Sequence, residues 1–417
     1  MEETKWQLSK EDYKRIKDET MEKVIDEHFA DTTKEQKLGL ALFFEDFLNH
    51  IMPVERRIFL KGNDDSGNGS YNRVLSSVLG KLNLSVPRTR NASFRSSFLP
   101  DKYKRTTSEY DELLFSLFAN GYSESKISKT LKRLNLPYSE DDMEELKNTI
   151  KEKITDFKTK QLPDEALCLI IDAYHTQIRH NSRVKDACVY SIIMLNMEGK
   201  KELAGFYIFF GKENTTDWVS IFNDLITRGL KRVLIIVSDD FPGISERITS
   251  LFPNTDHQLC YVHLQRNIRR NLSKQDAYFF REQLKKIVNS STEFEEAKEL
   301  LFKLCESFEK KYPNFIKKIK QNIENYIVFK KYPKNSQKYI YTSNAAENIN
   351  KLLEDKRFSL GGYFQSLDVL EINFFLMYEN LLLGAWKHPA PLLASCVYEF
   401  RQLANIRFGK DPLTQYS

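Results

Sequence analysis

The stretch 165-EALCLIIDAY-174 decides the fold, because it is an almost continuous run of apolar and β-branched residues that leads into an aspartate. Such a run is typical of a strand buried on both faces of a sheet. A second stretch, 231-KRVLIIVSD-239, has the same character and also ends in an aspartate. Both segments are therefore predicted to be strands in the interior of one sheet.

The neighbouring segments complete the pattern of that sheet. Residues 187–211 hold two further strand-like runs, residues 214–230 and 242–252 have the spacing of helices, and residues 257–262 read as a short fifth strand. Three consecutive strands followed by alternating helices and strands predict an α/β fold with a mixed five-stranded sheet. This order of elements matches the RNase H-like topology.

Two aspartates, Asp172 and Asp239, lie where we expect the two apolar strands to end. Open α/β sheets place their sites at the carboxyl ends of strands, so adjacent strands would bring these carboxylates together. Two like charges repel unless a divalent cation neutralises them, and carboxylate oxygens suit Mg²⁺ or Mn²⁺. Either aspartate, taken singly, could instead cap the helix that follows it.

A third carboxylate comes from a distant segment, 341-YTSNAAENINKLLEDKRF-358, whose apolar spacing predicts a helix. Glu347 follows two alanines there, which would let the helix approach a sheet closely. Two metal ions about 3.5 to 4 Å apart, held by such acids, activate water or a 3′-hydroxyl in phosphodiester chemistry. We therefore predict Asp172, Asp239 and Glu347 to be the catalytic and metal-binding residues, with two ions per site.

The segment before the sheet predicts contact with a polyanion. Between residues 70 and 105 many basic residues face a single acid, Asp101. Such a run neutralises phosphates, although a solvated basic loop has the same composition. The DNA contacts predicted here are Arg88, Arg90, Arg95, Lys104 and Arg105.

The first 160 residues also show local structural signals. Residues 38–52 have helical spacing, residues 61–72 have the composition of a linker, and residues 78–90 alternate as a short hairpin closed by Pro87. Residues 108–154 show three helical patterns, with Ser123 and Ser139 as N-caps. They outline either a helix-turn-helix or an ordinary three-helix bundle.

Composition limits the class of protein. The chain has 417 residues, 41% of them hydrophobic, with a net charge of +5, and this length suits two to four domains. No apolar run reaches the roughly 18 to 20 residues of a membrane span, and the N-terminus is charged where a signal peptide would be apolar. Five scattered cysteines predict reduced thiols rather than a disulfide framework. We expect a soluble, cytoplasmic protein with no membrane partner.

In their order along the chain, these features resemble the DDE transposases of the Mutator-like superfamily, in its bacterial and archaeal insertion-sequence branch. The fragments that carry the resemblance are 80-GKLNLSVPRTRN-91, 111-DELLFSLFANGYS-123, 169-LIIDAYHTQIR-179, 225-LITRGLKRVLIIVSD-239, 260-CYVHLQRN-267 and the Glu347 helix. The resemblance implies an RNase H-like core that an all-α insertion interrupts between the second aspartate and the glutamate. It carries the family's three catalytic acids onto Asp172, Asp239 and Glu347.

Two positions depart from the family pattern. Asp240 stands where glycine commonly follows the second aspartate, so two ligands are available, and the register of the strand favours Asp239. Asn348 stands where a basic residue often follows the glutamate. These departures affect the expected DNA contacts more than the chemistry.

The pair Cys260 and His263, with His257 three residues before the cysteine, has a spacing seen in metal sites. A structural zinc needs four ligands, and no second Cys/His pair occurs elsewhere in the chain. In the family this pair is a signature beside the acids, so we interpret it as the edge of the active site, with His263 near the scissile phosphate. A buried thiol and a helix-capping histidine are the alternative.

The resemblance implies a transposase that cleaves transposon ends with Mg²⁺ or Mn²⁺ and joins the freed 3′-OH to target DNA. Its partners would be double-stranded DNA, at the terminal inverted repeats and at the target, and at least a second copy of the chain, since two ends must be held. Nucleoid association would follow. The open alternatives are an RNase H-like nuclease or resolvase and a non-catalytic helix-turn-helix DNA-binding protein.

The expected domains are 1–66, helical and either dimerising or a plain subdomain; 67–160, hairpin and helix-turn-helix; 161–264, the first part of the core; 265–340, the insertion; and 341–417, the completion of the core. Further predicted DNA contacts are Arg179 and Arg183, which are expected near the acids after the first strand, Lys351 and Arg357 on the Glu347 helix, and Arg266, Arg269 and Arg270. Each of these could equally be a solvated surface charge.

Overall fold

The computed structural model describes residues 10–11, 14, 40–102, 104–120, 122, 124–134, 136–211 and 214–409. The chain divides into two compact units, residues 1–151 and 152–417. None of the helices in the described ranges is both long and apolar enough to cross a membrane.

A helix packed on a β-hairpin forms the core of the first unit. Helix α1 (Leu40–Gly62) buries Ile51 and Met52 against the antiparallel strands β1 (Gly67–Ser77) and β2 (Gly80–Thr89). The buried residues of β2 alternate with exposed ones over most of its length, because successive side chains of a strand point to opposite faces. One face of the hairpin is therefore part of the core, and the other is largely exposed.

Two sequence predictions for this hairpin are wrong. Residues 67–72, whose Gly, Asn and Ser content predicted a linker, belong to β1 and lie opposite the end of β2. Pro87 does not close β2; it lies opposite Ser70, and the strand continues to Thr89. A proline lacks only the N–H group, and the edge position of a strand in a two-stranded hairpin tolerates that loss.

Three further helices of the first unit lie where the sequence predicts them. They are α2 (Ser108–Ala119), α3 (Glu124–Arg133) and α4 (Glu140–Thr159), the last of which crosses into the second unit. The Ser139 hydroxyl accepts the N–H of Asp142 at 3.4 Å, as an N-cap does, whereas Ser123 lies outside the described residues.

The second unit contains the predicted mixed five-stranded sheet. Its strands are β3 (Glu165–His180), β4 (Arg183–Leu195), β5 (Lys201–Phe210), β6 (Arg232–Ser238) and β7 (Asp256–Leu259). Their spatial order is β5-β4-β3-β6-β7. β4 is antiparallel to both of its neighbours, whereas β6 is parallel to both β3 and β7. The α/β class and the five strands are thus confirmed.

Helices cover both faces of this sheet, which explains the apolar runs. On one face, α5 (Thr215–Thr227) and α6 (Ile244–Leu251) pack their buried side chains, Trp218 among them, against β3, β4 and β6. On the other face, Phe206 of β5 stacks on Phe374 with ring centroids 4.4 Å apart. A strand between two such layers has no polar face, so its sequence is apolar at successive positions.

From Tyr261 to Ile340, every described element is helical. The helices are α7 (Tyr261–Asn271), α8 (Lys274–Asn289), α9 (Phe294–Glu309), α10 (Pro313–Gln321), α11 (Ile323–Ile327), a 3₁₀ turn (Val328–Lys331) and α12 (Lys334–Ile340). The strand predicted for residues 257–262 is therefore too long at its end. It stops at Leu259, because the helical turn of α7 begins at Tyr261.

Four helices follow and return the chain to the sheet. They are α13 (Asn344–Ser359), α14 (Leu367–Leu383), α15 (Pro391–Ala394) and α16 (Val397–Phe408). α13 is the helix predicted around Glu347, and its residues Ala346, Ile349 and Leu353 are buried.

Candidate active site

The two aspartates lie side by side at one edge of the parallel half of the sheet. The parallel register of β3 and β6 pairs Ile170 with Val237, and Asp172 and Asp239 each follow two residues later. The prediction that Asp172 ends its strand is wrong, because β3 continues to His180 through its antiparallel pairing with β4. The pairing of β3 with β6 ends at Ile170 and Val237, just before Asp172. The Asp172 carboxylate therefore lies where β6 no longer covers the side of β3.

Asp172 is a buried acid with few neutralising contacts. The residue is only 6% exposed. Its carboxylate accepts hydrogen bonds from the N–H of Ala173 at 3.0 Å and from the side-chain amide of Asn350 at 2.9 Å. Burial is the main cause that raises the pKa of Asp172 to about 7; the Ala173 N–H opposes it, and the negative charges of Glu347 and Asp239 add to it. The three acids therefore interact electrostatically.

Helix α13 runs alongside β3 in step with it. Asn350 contacts Asp172, and four residues later Glu354 accepts the hydroxyl of Tyr174, two residues further along the strand. Four helical residues rise about 6 Å and two strand residues about 6.6 Å, so the two elements advance together. Glu347 lies about one turn before Asn350 on the same helix, which places it beside the edge of the sheet.

Helix α7 inserts two basic side chains among these acids. His263 Nδ1 lies 3.5 Å from Asp239 Oδ1, and its Nε2 lies 3.8 Å from Glu347 Oε1. Arg266, three residues later and thus on the same face, donates one N–H to each carboxylate oxygen of Glu347, both at 3.0 Å. The histidine lies between Asp239 and Glu347, and the arginine binds Glu347 as well.

Cys260 ties the start of α7 to the start of α13. Its N–H donates to the Ser238 carbonyl at 2.8 Å, and its Sγ lies 3.1 Å from the Ser343 hydroxyl and accepts the Ser343 N–H at 3.4 Å. Burial raises the pKa of this thiol, which keeps it neutral. One ligand atom each of Cys260, His263 and Glu347 lies within 4.8 Å of the others. Of the two predicted edge residues, His263 is therefore beside the acids, whereas the thiol of Cys260 contacts Ser343.

His257, which extended the Cys/His spacing, has different partners. Its ring nitrogens lie 2.8 Å from the Ser238 hydroxyl and 3.2 Å from the Ser245 hydroxyl. Burial lowers its pKa to about 4. It is a neutral side chain packed beside β6.

Asp240, the second acid after β6, is not among the charges that shift the pKa of Asp172. It is exposed, its N–H donates to Asp239 Oδ1 at 2.8 Å, and it interacts electrostatically with Lys318 of α10. This arrangement favours Asp239 as the acid that lies beside Asp172.

Three of the five basic residues predicted in the first unit line a groove of about 780 Å³ on the hairpin. Arg88, Arg95 and Arg105 line it, and the guanidinium of Arg88 lies 5.6 Å from the centroid of the Tyr71 ring. Arg90 and Lys104 are exposed but are not among the lining residues. We call this feature the hairpin groove.

Two basic residues predicted near the acids are remote from them. Arg179 is seven residues beyond Asp172 on the same strand, about 23 Å away at the rise of an extended chain. Arg183 begins the next strand beyond that turn. Their predicted position beside the site is wrong, because β3 and β4 form a long hairpin instead of ending at the acid. Arg179 bonds the Tyr363 hydroxyl at 2.8 Å.

Of the other DNA contacts predicted in the second unit, some have exposed side chains and one has a side chain held by hydrogen bonds. Arg269 and Arg270 on α7 and Lys351 on α13 are exposed. Arg357 donates to Glu354 and to the Gly362 carbonyl, so its guanidinium is held at the end of α13.

Sequence analysis did not include Asn350 and Ser343 among the site residues. Asn350 lies three residues after Glu347, so its helical spacing is the signal that would have found it. The contact between Ser343 and Cys260 joins positions 83 residues apart and leaves no local signal.

The donors fit a hard divalent cation. Asp172, Asp239 and Glu347 offer carboxylate oxygens, the ligands that Mg²⁺ and Mn²⁺ prefer. The side-chain oxygen of Asn350 is buried beside them and has no hydrogen-bond partner among the described residues. Burial that raises the pKa of Asp172 indicates that negative charge here lacks compensation, which a bound cation would supply.

Comparison with known proteins places the chain among transposases. It matches the family model described as Transposase, Mutator family, over residues 7–364. The transposase for insertion sequence element IS905 of Lactococcus lactis is 26% identical over 330 residues, which are 76% of this chain and 83% of that protein. The transposase for element ISRM3 of Rhizobium meliloti is 28% identical over 292 residues, which are 69% and 71% of the two chains.

Among solved structures, a Drosophila P element transposase strand transfer complex aligns with 77% of this chain and 95% of its own. The sequence identity is 13% and the TM-score 0.25, a value too low to support an argument.

Proposed function

This chain belongs to the Mutator family of transposases, and we propose that it cleaves transposon ends and joins the freed 3′-hydroxyl to target DNA. The observation that carries the proposal is the meeting of Asp172, Asp239 and Glu347, from two strands and a distant helix, around His263 and Arg266. Reactions of this class are in-line phosphoryl transfers, which need metal ions held in place by carboxylates more than they need a nucleophilic side chain.

The core that positions these acids is, in this proposal, RNase H-like. The order β5-β4-β3-β6-β7, with an antiparallel meander joined to two parallel strands, supports it. Helices α7 to α12 separate Asp239 from Glu347, as an all-α insertion at residues 265–340 requires. The division into five domains, with residues 67–160 as a helix-turn-helix DNA-binding region, belongs to the same proposal.

Asp172, Asp239 and Glu347 are the residues that would hold Mg²⁺ or Mn²⁺, two ions per site. When bound, such ions activate the attacking hydroxyl and stabilise the leaving oxygen of a phosphodiester. Asn350 fixes the orientation of the Asp172 carboxylate through its 2.9 Å hydrogen bond. His263 lies at the edge, within reach of Asp239 and Glu347, where it can hold a proton close to the reacting phosphate.

DNA binding is assigned to basic residues that line the hairpin groove or are exposed near the acids. The hairpin groove presents Arg88, Arg95 and Arg105, whose charges suit the phosphates of a transposon end. Arg269 and Arg270 would contact DNA close to the acids. A second copy of the chain completes the proposed assembly, because two transposon ends are joined in one reaction.

A strand-transfer assay tests the proposal. Precut transposon ends, taken from inverted repeats flanking the gene, are incubated with Mg²⁺, plasmid target and purified protein. A transposase joins the ends to the plasmid; a nuclease cuts without joining, and a non-catalytic DNA-binding protein only binds. The last two outcomes contradict the proposal.

Variants of the acids assign the chemistry. Asp172→Asn, Asp239→Asn and Glu347→Gln each remove one charge with little change in shape, and each should lower strand transfer by at least about 10³-fold while end binding remains. Asp240→Asn is the matched control, since Asp240 is exposed and is not among the charges that act on Asp172. Normal joining by any of the three acid variants would show that the triad is wrong.

A further inference from the structure

The pairing of Arg266 with Glu347 is more specific than a surface ion pair. Both guanidinium donors lie 3.0 Å from the two carboxylate oxygens, so the fork of the arginine engages both oxygens of the acid. The Glu347 side chain is 22% exposed and that of Arg266 is 45% exposed. The positive charge of Arg266 also acts on Asp172, where it opposes the rise in pKa that burial causes.

This position is the one a metal ion would take at Glu347. A divalent ion binds carboxylate oxygen at about 2.0 to 2.2 Å, and the guanidinium covers the same two oxygens from about 3 Å. Two cations this close repel strongly in a partly buried site, where screening is weak. Arg266 and a metal ion therefore compete for Glu347.

We propose that Arg266 is an internal counter-ion, which binds Glu347 in the metal-free protein and is displaced when the metal binds, so that its guanidinium becomes free for a DNA phosphate. The inference rests on the proposed metal site at Asp172, Asp239 and Glu347. It adds that metal loading and DNA contact are coupled through one side chain.

The surroundings of Arg266 suit such a displacement. Nearly half of its side chain is exposed, so it can leave Glu347 without opening the core. Arg269 and Arg270 follow at three and four residues along α7 and are exposed. A released Arg266 would join them in a cationic strip on one face of the helix, close to the acids.

Metal affinity measured without DNA tests the competition. Binding of Mn²⁺ is followed by the electron paramagnetic resonance signal of the free ion, for the full-length wild type, Arg266→Ala and Arg269→Ala. Removal of the competing cation should tighten Mn²⁺ binding by about tenfold in Arg266→Ala. Arg269→Ala removes the same charge from the same helix without touching Glu347, and its affinity should stay within about twofold of wild type. Arg266→Gln is the second variant, should the alanine protein fail to fold.

Chemical labelling tests the displacement itself. Phenylglyoxal modifies free guanidinium groups, and peptide mass spectrometry gives the extent at each arginine. Addition of Mn²⁺ to the wild type should raise labelling of Arg266 severalfold and leave that of Arg269 unchanged. In Glu347→Gln, Arg266 should be labelled to the high level without metal.

The outcomes separate this inference from the proposed function. If Asp172→Asn abolishes Mn²⁺ binding but Arg266→Ala binds no more tightly than wild type, the metal site holds and the counter-ion role is overturned. If Mn²⁺ affinity is the same in Asp172→Asn, Asp239→Asn and wild type, the proposed metal site fails, and the inference fails with it. Labelling of Arg266 that does not respond to Mn²⁺ overturns the displacement.

Discussion

The hairpin groove and the acidic edge of the sheet hold charge in opposite ways. In the groove, arginines such as Arg88 are exposed to solvent, and all the charges that line it are positive. At the sheet edge, Asp172 is buried and every acid of the cluster has a specific neighbour, such as Asn350 or Arg266. Exposed charges bind a polyanion with little positional demand, whereas buried charges require fixed partners and support chemistry.

The difference predicts how each region responds to its surroundings. Salt screens exposed charges beyond about 8 Å at physiological ionic strength and acts much less on buried ones. Burial in turn shifts pKa values, so the region of the sheet edge should respond to pH, and the hairpin groove to salt.

The largest predicted effect is on the pH dependence of folding stability, and it comes from His257, which lies beside the acidic edge. Burial lowers its pKa to about 4, below the ordinary value of 6.5, so the folded protein favours the neutral ring. Its contribution to stability is full above about pH 6.5 and is lost as the pH falls toward 4, a loss of up to roughly 3 kcal/mol. Urea unfolding of the wild type and His257→Gln at pH 7.5 and 4.5 measures the difference in pH dependence. If the stability of the two proteins depends equally on pH, the predicted contribution of His257 is wrong.

A smaller loss, of metal affinity and strand transfer, is expected when a substitution of Asn350 removes its hydrogen bond to Asp172. Asn350→Ala should weaken Mn²⁺ binding and strand transfer by about tenfold to a hundredfold, since a neighbour of a metal ligand has this order of effect. Binding to transposon ends should not change, because Asn350 does not contact DNA in the proposed arrangement. The control is Asn348→Ala, which alters an exposed asparagine of the same helix. If the two substitutions have equal effects, Asn350 does not orient Asp172 and is not a site residue.

The hairpin groove is tested by salt. Arg88→Ala should weaken binding to transposon ends by about threefold to tenfold and reduce the slope of log affinity against log salt by about one, as the loss of one phosphate contact does. Lys81→Ala removes an exposed charge of β2 that is not among the residues lining the groove. Fluorescence anisotropy at several salt concentrations compares them, and an unchanged slope in Arg88→Ala would place the DNA elsewhere.

The smallest effect is expected from Cys260. Its thiol is neutral and bonded to Ser343, and a serine preserves that hydrogen bond. Cys260→Ser should therefore change Mn²⁺ affinity by less than about twofold. A large loss of affinity would make the cysteine a metal ligand and replace the three-acid site by the group of Cys260, His263 and Glu347.

Much of the fold was predictable because burial leaves a local signal. The apolar runs at residues 165–174 and 231–239 became β3 and β6, and the spacing around Glu347 became α13. The hairpin is the counter-example. Residues 67–72 have the composition of a linker and a low intrinsic preference for strands. They form a strand because β2 supplies backbone hydrogen-bond partners for them.

That the three acids lie close together could be predicted from sequence, since each follows or interrupts a buried element. Their surroundings could not. Arg179 was predicted near Asp172, but the length of β3 depends on its pairing with β4, which periodicity within one strand does not report.

The sequence by itself determined the α/β class, the strands, the helix that carries Glu347 and the family, because these depend on local patterns of burial and on the order of short motifs. Only the tertiary structure decided the contacts of Asn350 with Asp172 and of Arg266 with Glu347, which join positions 178 and 81 residues apart. The physical reason is that such pairs depend on strand register and helix packing. These bring together side chains that no local pattern connects.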